Sequence, residues 1–323
     1  MNEKAFYGQR DTNVGRSVRG HPATFGAADQ KAEKSGCSPS TLPQFGRYAG
    51  SCPMRKAVTV RTTPMTNDNV HLAVLITMPH SHYSEKARWA LDRLSVPYQE
   101  QPHAPLLHRL ATTRNGGSSV PLLLHGGAHF TDSTDILVHM DAVCGGDLLY
   151  PRDAGLRREV EALETQFDEE LGPHARRWAY AQLLSERSLL RQVMTRGVPQ
   201  LEAALLPVIM PGVIRLIRAA LKITPQSAAR SLERVRGIFK EVDARLDDGR
   251  QFLVGERFTA ADLTFAALAA PVLFPTGYRA AYPALNDVPA AMRTEVLRLR
   301  DTAAGRFALR LYVQERDRSH AVA

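Results

Sequence analysis

The strongest constraint on the fold of this chain lies near its C-terminal end, in the run Phe252-Leu253-Val254-Gly255-Glu256-Arg257-Phe258-Thr259-Ala260-Ala261-Asp262-Leu263-Thr264. Thr259 and Asp262 stand at capping-box spacing: the hydroxyl of one can accept the N–H at the third helical position, and the carboxylate of the other can reach back to the N–H of Thr259. Phe258 and Leu263 are spaced to close a hydrophobic staple over that start. The helix then continues apolar through Phe265, Ala266, Leu268 and Ala269, which predicts a central position in a helical bundle.

With 323 residues, 44% hydrophobic and 23% charged, the chain can support two modest domains of ordinary globular composition. Its net charge of +8 is unevenly placed, because residues 1–70 hold ten Lys/Arg against five Asp/Glu and so carry +5 of it. The remainder is mildly basic, and no finger, basic-zipper or aromatic RNA-binding signature accompanies the charge, so nucleic acid is not expected as a partner. Cys37, Cys52 and Cys144 show neither metal-ligand spacing nor a disulfide framework, and no metal is expected. No apolar segment of secretory-signal length occurs in residues 1–50, which predicts a cytoplasmic protein.

Residues 1–68, rich in Gly, Ser, Pro, Thr and charge and without periodicity, read as a disordered extension. Its basic, Ser-containing character is only loosely that of a transit peptide, since Glu3, Asp11, Asp29 and Glu33 oppose it. An over-extended start, with Met54 or Met65 as the true first residue, is the alternative. From residue 71 the pattern changes. Leu72-Ala73-Val74-Leu75-Ile76 suits a buried strand, and Pro79 a turn. Over residues 84–94, Ala87, Ala90, Leu91 and Leu94 form an apolar stripe, with Glu85, Lys86, Asp92 and Arg93 on the wet side. An extended segment from Val96, a helix near 106–112, the Asn115-Gly116-Gly117 turn, a strand at 121–124, a Gly126-Gly127 hairpin and a helix over 133–143 complete the order βαβαββα.

Beyond the linker Tyr150-Pro151-Arg152-Asp153 the periodicity is helical throughout, with long stretches predicted at 156–190, 228–246, 260–273 and 295–312. Between the first two lies an apolar insert near 198–224, punctuated by Pro199, Pro207, Pro211 and Gly212. Its stripe of Val213, Leu216, Ile217, Ala220 and Leu221, with Arg215, Arg218 and Lys222 away from it, fits either a weak contact with a membrane surface or an extra helix packed on the bundle. The prolines and arginines argue against a spanning helix. The Arg-rich segment around Arg298, Arg300, Arg306 and Arg310 reads as a solvated face.

Two of these stretches resemble the glutathione S-transferase superfamily: the capped FLVGERFTAAD, similar to the buried helix start of its C-terminal domain, and SHYSEKARWALD, similar to its active-site segment. The resemblance implies an α/β plus all-α protein, with a thioredoxin-like N-terminal domain (βαβαββα, residues 69–150) followed by an all-helical domain (151–323). It implies glutathione as co-substrate, no metal, a homodimer, and conjugation of the glutathione thiolate to a small electrophile, as in detoxification. Other readings are a non-catalytic adaptor or membrane-surface module, and a glutathione-dependent isomerase, dehalogenase or peroxidase.

By the same resemblance Ser81 falls on the position of the catalytic Ser or Cys and Ser84 on the far end of a former CxxC. With Ser at both, mixed-disulfide thiol transfer is not expected. Ser81 would donate a hydrogen bond to the glutathione sulfur; the rival is that Ser81 or Ser84 merely caps the helix. Tyr83 is an alternative hydroxyl. His80 and His82 flank the turn and read as solvated. Val120-Pro121 resembles the family's cis-proline, which presents backbone to the cysteinyl part of glutathione. Asp132-Ser133 resembles the acidic-Ser pair for the γ-glutamyl group, with a simple helix cap as the alternative. His174, Arg177, Trp178 and Tyr180, on the first helix of the second domain, are candidates for the second substrate; Trp178 and Tyr180 could equally be core or domain-interface residues.

Overall fold

A computed structural model describes residues 72–280 and 282–316; the expected disordered extension, residues 1–68, lies outside them. β1 (Ala73–Thr77) is apolar along its length because it is paired on both sides, parallel to β2 (Tyr98–Pro102) and antiparallel to β3 (Leu122–His125). β2, YQEQP, is an edge strand and correspondingly polar. β4 (Ala128–Phe130) forms a hairpin with β3 through Gly126 and Gly127, both at positive φ, as a tight two-residue turn requires. The strand order is β2-β1-β3-β4. Three helices complete the unit: α1 (His82–Arg93), α2 (His108–Arg114) and α3 (Ser133–Val143), with α1 packed on α3. The order βαβαββα and the mixed sheet make this a thioredoxin-like domain.

An all-helical domain follows: α4 (Ala154–Gln166), α5 (Gly172–Leu183), α6 (Arg187–Thr195), α7 (Gln200–Ala220), α8 (Pro225–Leu246), α9 (Ala260–Leu273), α10 (Ala290–Arg300) and α11 (Ala303–Leu311). All fourteen residues of α9 are buried, as an all-round apolar helix must be. It packs on α1, α4, α5, α10 and α11, so the capped segment is the central post of the molecule. The box forms as its spacing predicts. The Asp262 carboxylate accepts the N–H of Thr259 at 2.8 Å, the Thr259 hydroxyl at 2.9 Å and the N–H of Leu253 at 2.7 Å.

Three expectations change. The stretch 156–190 is broken: residues Phe167–Leu171 wind as a wider π-turn ahead of Pro173, whose missing N–H interrupts the α ladder, and α6 begins only at Arg187. The stretch 295–312 is broken at Thr302, whose hydroxyl caps a new helix by accepting the N–H of Gly305 at 2.9 Å. Glu85 and Lys86, assigned to the wet side of α1, are fully buried, and Arg88 is 1% exposed, because that face meets the helical domain rather than solvent. The insert is the continuous 21-residue helix α7, and its stripe follows the reading of an extra helix packed on the bundle: Val213, Ile217 and Leu221 belong to the core.

Candidate active site

α1 begins where β1 ends, after a turn closed by the Ser81 N–H on the Met78 carbonyl at 3.0 Å. Ser81 is the N-cap, its Oγ accepting the N–H of Ser84 at 3.3 Å. A hydroxyl has two acceptor sites and one proton, so this contact leaves the Ser81 O–H able to donate elsewhere. The other first-turn N–H groups point past the helix end, where the dipole favours negative charge.

Ser81 is on the wall of a small cleft. Its polar lining is His80, Ser81, His82 and Arg176, and its apolar lining includes Leu183, Leu190, Val193, Pro271 and the ring of Tyr282. One residue of the predicted second-substrate set, Tyr180, lines it as well. His174 is instead hydrogen-bonded to Ser231 at 3.0 Å, Arg177 to the Leu221 carbonyl at 2.7 Å, and Trp178 borders a separate depression with Thr224 and Ala228. The face of α5 on the cleft is the stripe Arg176, Ala179, Tyr180, Leu183, at i, i+3, i+4, i+7; His174, Arg177 and Trp178 form the adjacent stripe, which meets α8.

The rival hydroxyls are engaged or enclosed. Tyr83, 2% exposed, donates to the Asp168 carbonyl at 2.8 Å, and burial raises its pKa against the pull of Arg176. Ser84 is fully buried. His82 is not solvated: 3% exposed, it donates from Nε2 to the Gly172 carbonyl at 3.1 Å, and burial, followed by the charge of Arg176, holds its pKa well below the usual value. His80 is half-buried, with both ring nitrogens enclosed and without a partner among the described residues; burial lowers its pKa to about 4. Both imidazoles are therefore neutral at pH 7, and the positive charge beside Ser81 belongs to Arg176, 6.0 Å from the Tyr83 ring.

The remaining predicted groups lie just before β3 and at the start of α3, and none of them is among the residues lining this cleft. The Val120-Pro121 peptide is cis. Asp132 is the N-cap of α3, accepting the N–H of Thr134 at 2.8 Å and of Asp135 at 3.4 Å, with Ser133 3% exposed beside it. Behind this helix start lies a buried ionic cluster the sequence did not suggest. Lys86 Nζ bonds Thr134 Oγ1 at 2.9 Å, Asp168 at 2.7 Å and Glu164 at 2.9 Å, joining α1, α3, α4 and the π-turn. Burial opposes the Lys86 charge, yet the two carboxylates hold its pKa above the ordinary value, while burial pushes Asp168 up to about 6. Tyr150 donates to Glu164 at 2.8 Å and completes the cluster. Among the described residues, no group of three or more His, Cys, Asp or Glu is placed to hold a metal ion.

A thioredoxin-like domain whose first helix opens on a cleft, followed by a helical bundle, defines a two-domain fold. The family descriptions "Glutathione S-transferase, N-terminal domain" and "Glutathione S-transferase, C-terminal domain" match residues 75–146 and 225–288, and the chain belongs to the glutathione S-transferase superfamily. Similar solved structures include the beta-etherase LigF of Sphingobium sp. strain SYK-6 (18% identity, 74% of this chain and 98% of that one, TM-score 0.47). A glutathione transferase family member of Pseudomonas fluorescens pf-5 with two glutathione bound gives 15% identity over 77% of this chain and 92% of its own, TM-score 0.49. FzlA of C. crescentus gives 19% over 76% and 99%, TM-score 0.45. A comparison with curated protein sequences finds no match.

Proposed function

We propose that the protein is a glutathione transferase in which Ser81 stabilises the thiolate of glutathione for attack on an apolar electrophile held in the cleft. The observation that carries this reading is the capping hydroxyl of Ser81 on the wall of an otherwise largely apolar cleft, fixed by the N–H of Ser84 but with its own proton still to donate. A free thiol of pKa about 8.5 is only ~3% ionised at neutral pH, and lowering it by about two units makes the thiolate the major form. Three groups act in that direction: the Ser81 O–H, the N-terminal dipole of α1 and the guanidinium of Arg176.

The glutathione thiol loses its proton to solvent. The sulfur lone pair then forms the C–S bond at the electrophilic carbon as the leaving group departs with its bonding electrons, or as a conjugated double bond takes them up. Glutathione would lie along the cis Val120-Pro121 peptide, with its γ-glutamyl group at the start of α3 near Asp132 and Ser133. The apolar wall of Leu183, Leu190, Val193 and Pro271 fits a hydrophobic second substrate.

Calorimetric titration with glutathione tests the binding half, and absence of heat at millimolar ligand rejects it. For the chemical half, Ser81→Ala should raise the apparent pKa of bound glutathione by one to two units, roughly the gain assigned to the hydroxyl, and leave affinity largely intact. If Tyr83→Phe or Ser84→Ala produces that shift and Ser81→Ala does not, the role of Ser81 is wrong.

A further inference from the structure

α7 is long and apolar enough to cross a membrane by length and composition, yet it is neither a core helix nor free of the protein: only 22% of its most apolar window is buried. One face is in the core, with Leu206, Met210, Val213 and Ile217 at most 6% exposed. On the opposite face Leu201 is 73%, Leu205 45% and Val208 79% exposed, and one turn beyond Gly212 the same face carries the exposed Arg215, with exposed Arg218 alongside. The outward stripe is therefore apolar in its N-terminal half and basic in its C-terminal half. Its surroundings share the sign: residues 187–222 hold Arg187, Arg191, Arg196, Arg215, Arg218 and Lys222 against the single acid Glu202. Glu202 is itself held by His103 at 2.6 Å and by the Ala104 N–H at 2.6 Å.

We propose that this face docks the protein on an anionic membrane surface, with Leu201, Leu205 and Val208 in the headgroup–acyl boundary and the arginines against lipid phosphates. An apolar face rimmed by basic side chains is what an in-plane helix presents to acidic lipid. The depth is limited by the fold. The inner face cannot meet lipid without unpacking from the core, and Pro207 and Pro211 remove the N–H groups that would serve the carbonyls of Ala203 and Pro207, so those oxygens need the wet interface rather than hydrocarbon. The docking face is thus opposite to the stripe that the sequence singles out.

Flotation of the full-length protein with vesicles of phosphatidylcholine alone, or of phosphatidylcholine with phosphatidylglycerol, tests the proposal. Strong flotation with the anionic vesicles is expected, weakened by salt. Arg215→Gln with Arg218→Gln should reduce it about 30-fold at low ionic strength, and Leu201→Asp with Val208→Asp should abolish it. These positions are exposed, so thermal melting should be unchanged and serves as the folding control. Three results overturn the proposal: no flotation with either vesicle, flotation indifferent to both pairs of substitutions, or a dimer in vesicle-free light scattering that Val208→Asp dissolves, which would assign the face to a second copy of this chain.

Discussion

Two helices that pack against each other, α1 and α9, use the same device at their N-terminal ends to opposite effect. At α9 the box is spent internally: Thr259 is 1% exposed and Asp262 fully buried, and one carboxylate takes the Thr259 N–H, the Thr259 hydroxyl and the Leu253 N–H. At α1 the cap is a single 3.3 Å contact from the Ser84 N–H to Ser81 Oγ, on the wall of a cleft. A helix cap becomes a chemical group when the hydroxyl that makes it keeps a proton and faces space. A sequence displays both caps equally well, because spacing sets the local hydrogen bonds; only packing decides what remains unspent.

The largest effect should come from beneath the open start. Lys86→Met removes the cation that bridges Asp168 and Glu164 in the interior, which should cost about 3–5 kcal/mol. Without Lys86 the buried Asp168, facing a second carboxylate, binds its proton more tightly in the folded chain than in the unfolded one. The loss should then be smallest in acid and grow as pH rises past about 6, where burial already places Asp168. Denaturant titrations at pH 5 and pH 8 measure this, and a loss independent of pH would remove the cluster from the account of the α1 start.

The closed start has a pH dependence of its own. Burial, against the hydrogen bonds it accepts, raises Asp262 to about 6 from the ordinary 3.8. The folded state therefore holds this proton more tightly than the unfolded state between those values, and stability contributed by the residue rises as pH falls from about 6 to about 4. Asp262→Asn cannot titrate and loses part of the acceptor set. It should cost about 2–3 kcal/mol, with the gap to the parent wider at pH 5 than at pH 8 by roughly 1 kcal/mol. A gap that narrows in acid would mean that Asp262 is ionised throughout.

Beside the open start, Gly172 sets how closely α5 approaches α1. A methyl group there would overlap the Tyr83 hydroxyl, so Gly172→Ala must break the Tyr83 bond to the Asp168 carbonyl or move the helices apart. A cost of about 1–3 kcal/mol is expected, together with weaker glutathione binding, because His82, which donates to the Gly172 carbonyl, is the next residue after Ser81. A thermal melt lowered with binding untouched would show that α5 yields without disturbing the α1 start.

The element order was readable because each strand of the sheet is short, apolar or bounded by Gly and Pro, and because α3 and α9 carry their own caps. Less of the site was readable, for two physical reasons. Glu85, Lys86 and Arg88 look like a solvated face because their partners are remote in sequence: Glu164 and Asp168 for Lys86, Glu100 for Arg88 at 2.7 Å, and Arg316 for Glu85 at 2.9 Å. On α5 the cleft takes Arg176 where the sequence reading took Arg177, since neighbouring residues lie about 100° apart around a helix. Periodicity finds such stripes but does not say which of two meets the cleft. Only the turn preceding α5, widened ahead of Pro173, sets that phase.

The smallest stability change separates the two starts most cleanly. Thr259→Ala and Ser81→Ala each delete one capping hydroxyl, for which about 1 kcal/mol is the ordinary cost, and thermal melts should rank them near each other, Thr259→Ala somewhat lower because its hydroxyl is enclosed with the Asp262 carboxylate. Spectroscopic titration of the thiol of bound glutathione should then divide them: unchanged in Thr259→Ala, shifted to higher pH in Ser81→Ala. Equal titration curves would make the α1 cap the same kind of object as the α9 cap, a folding device, and would move thiolate stabilisation to Arg176 and the helix dipole.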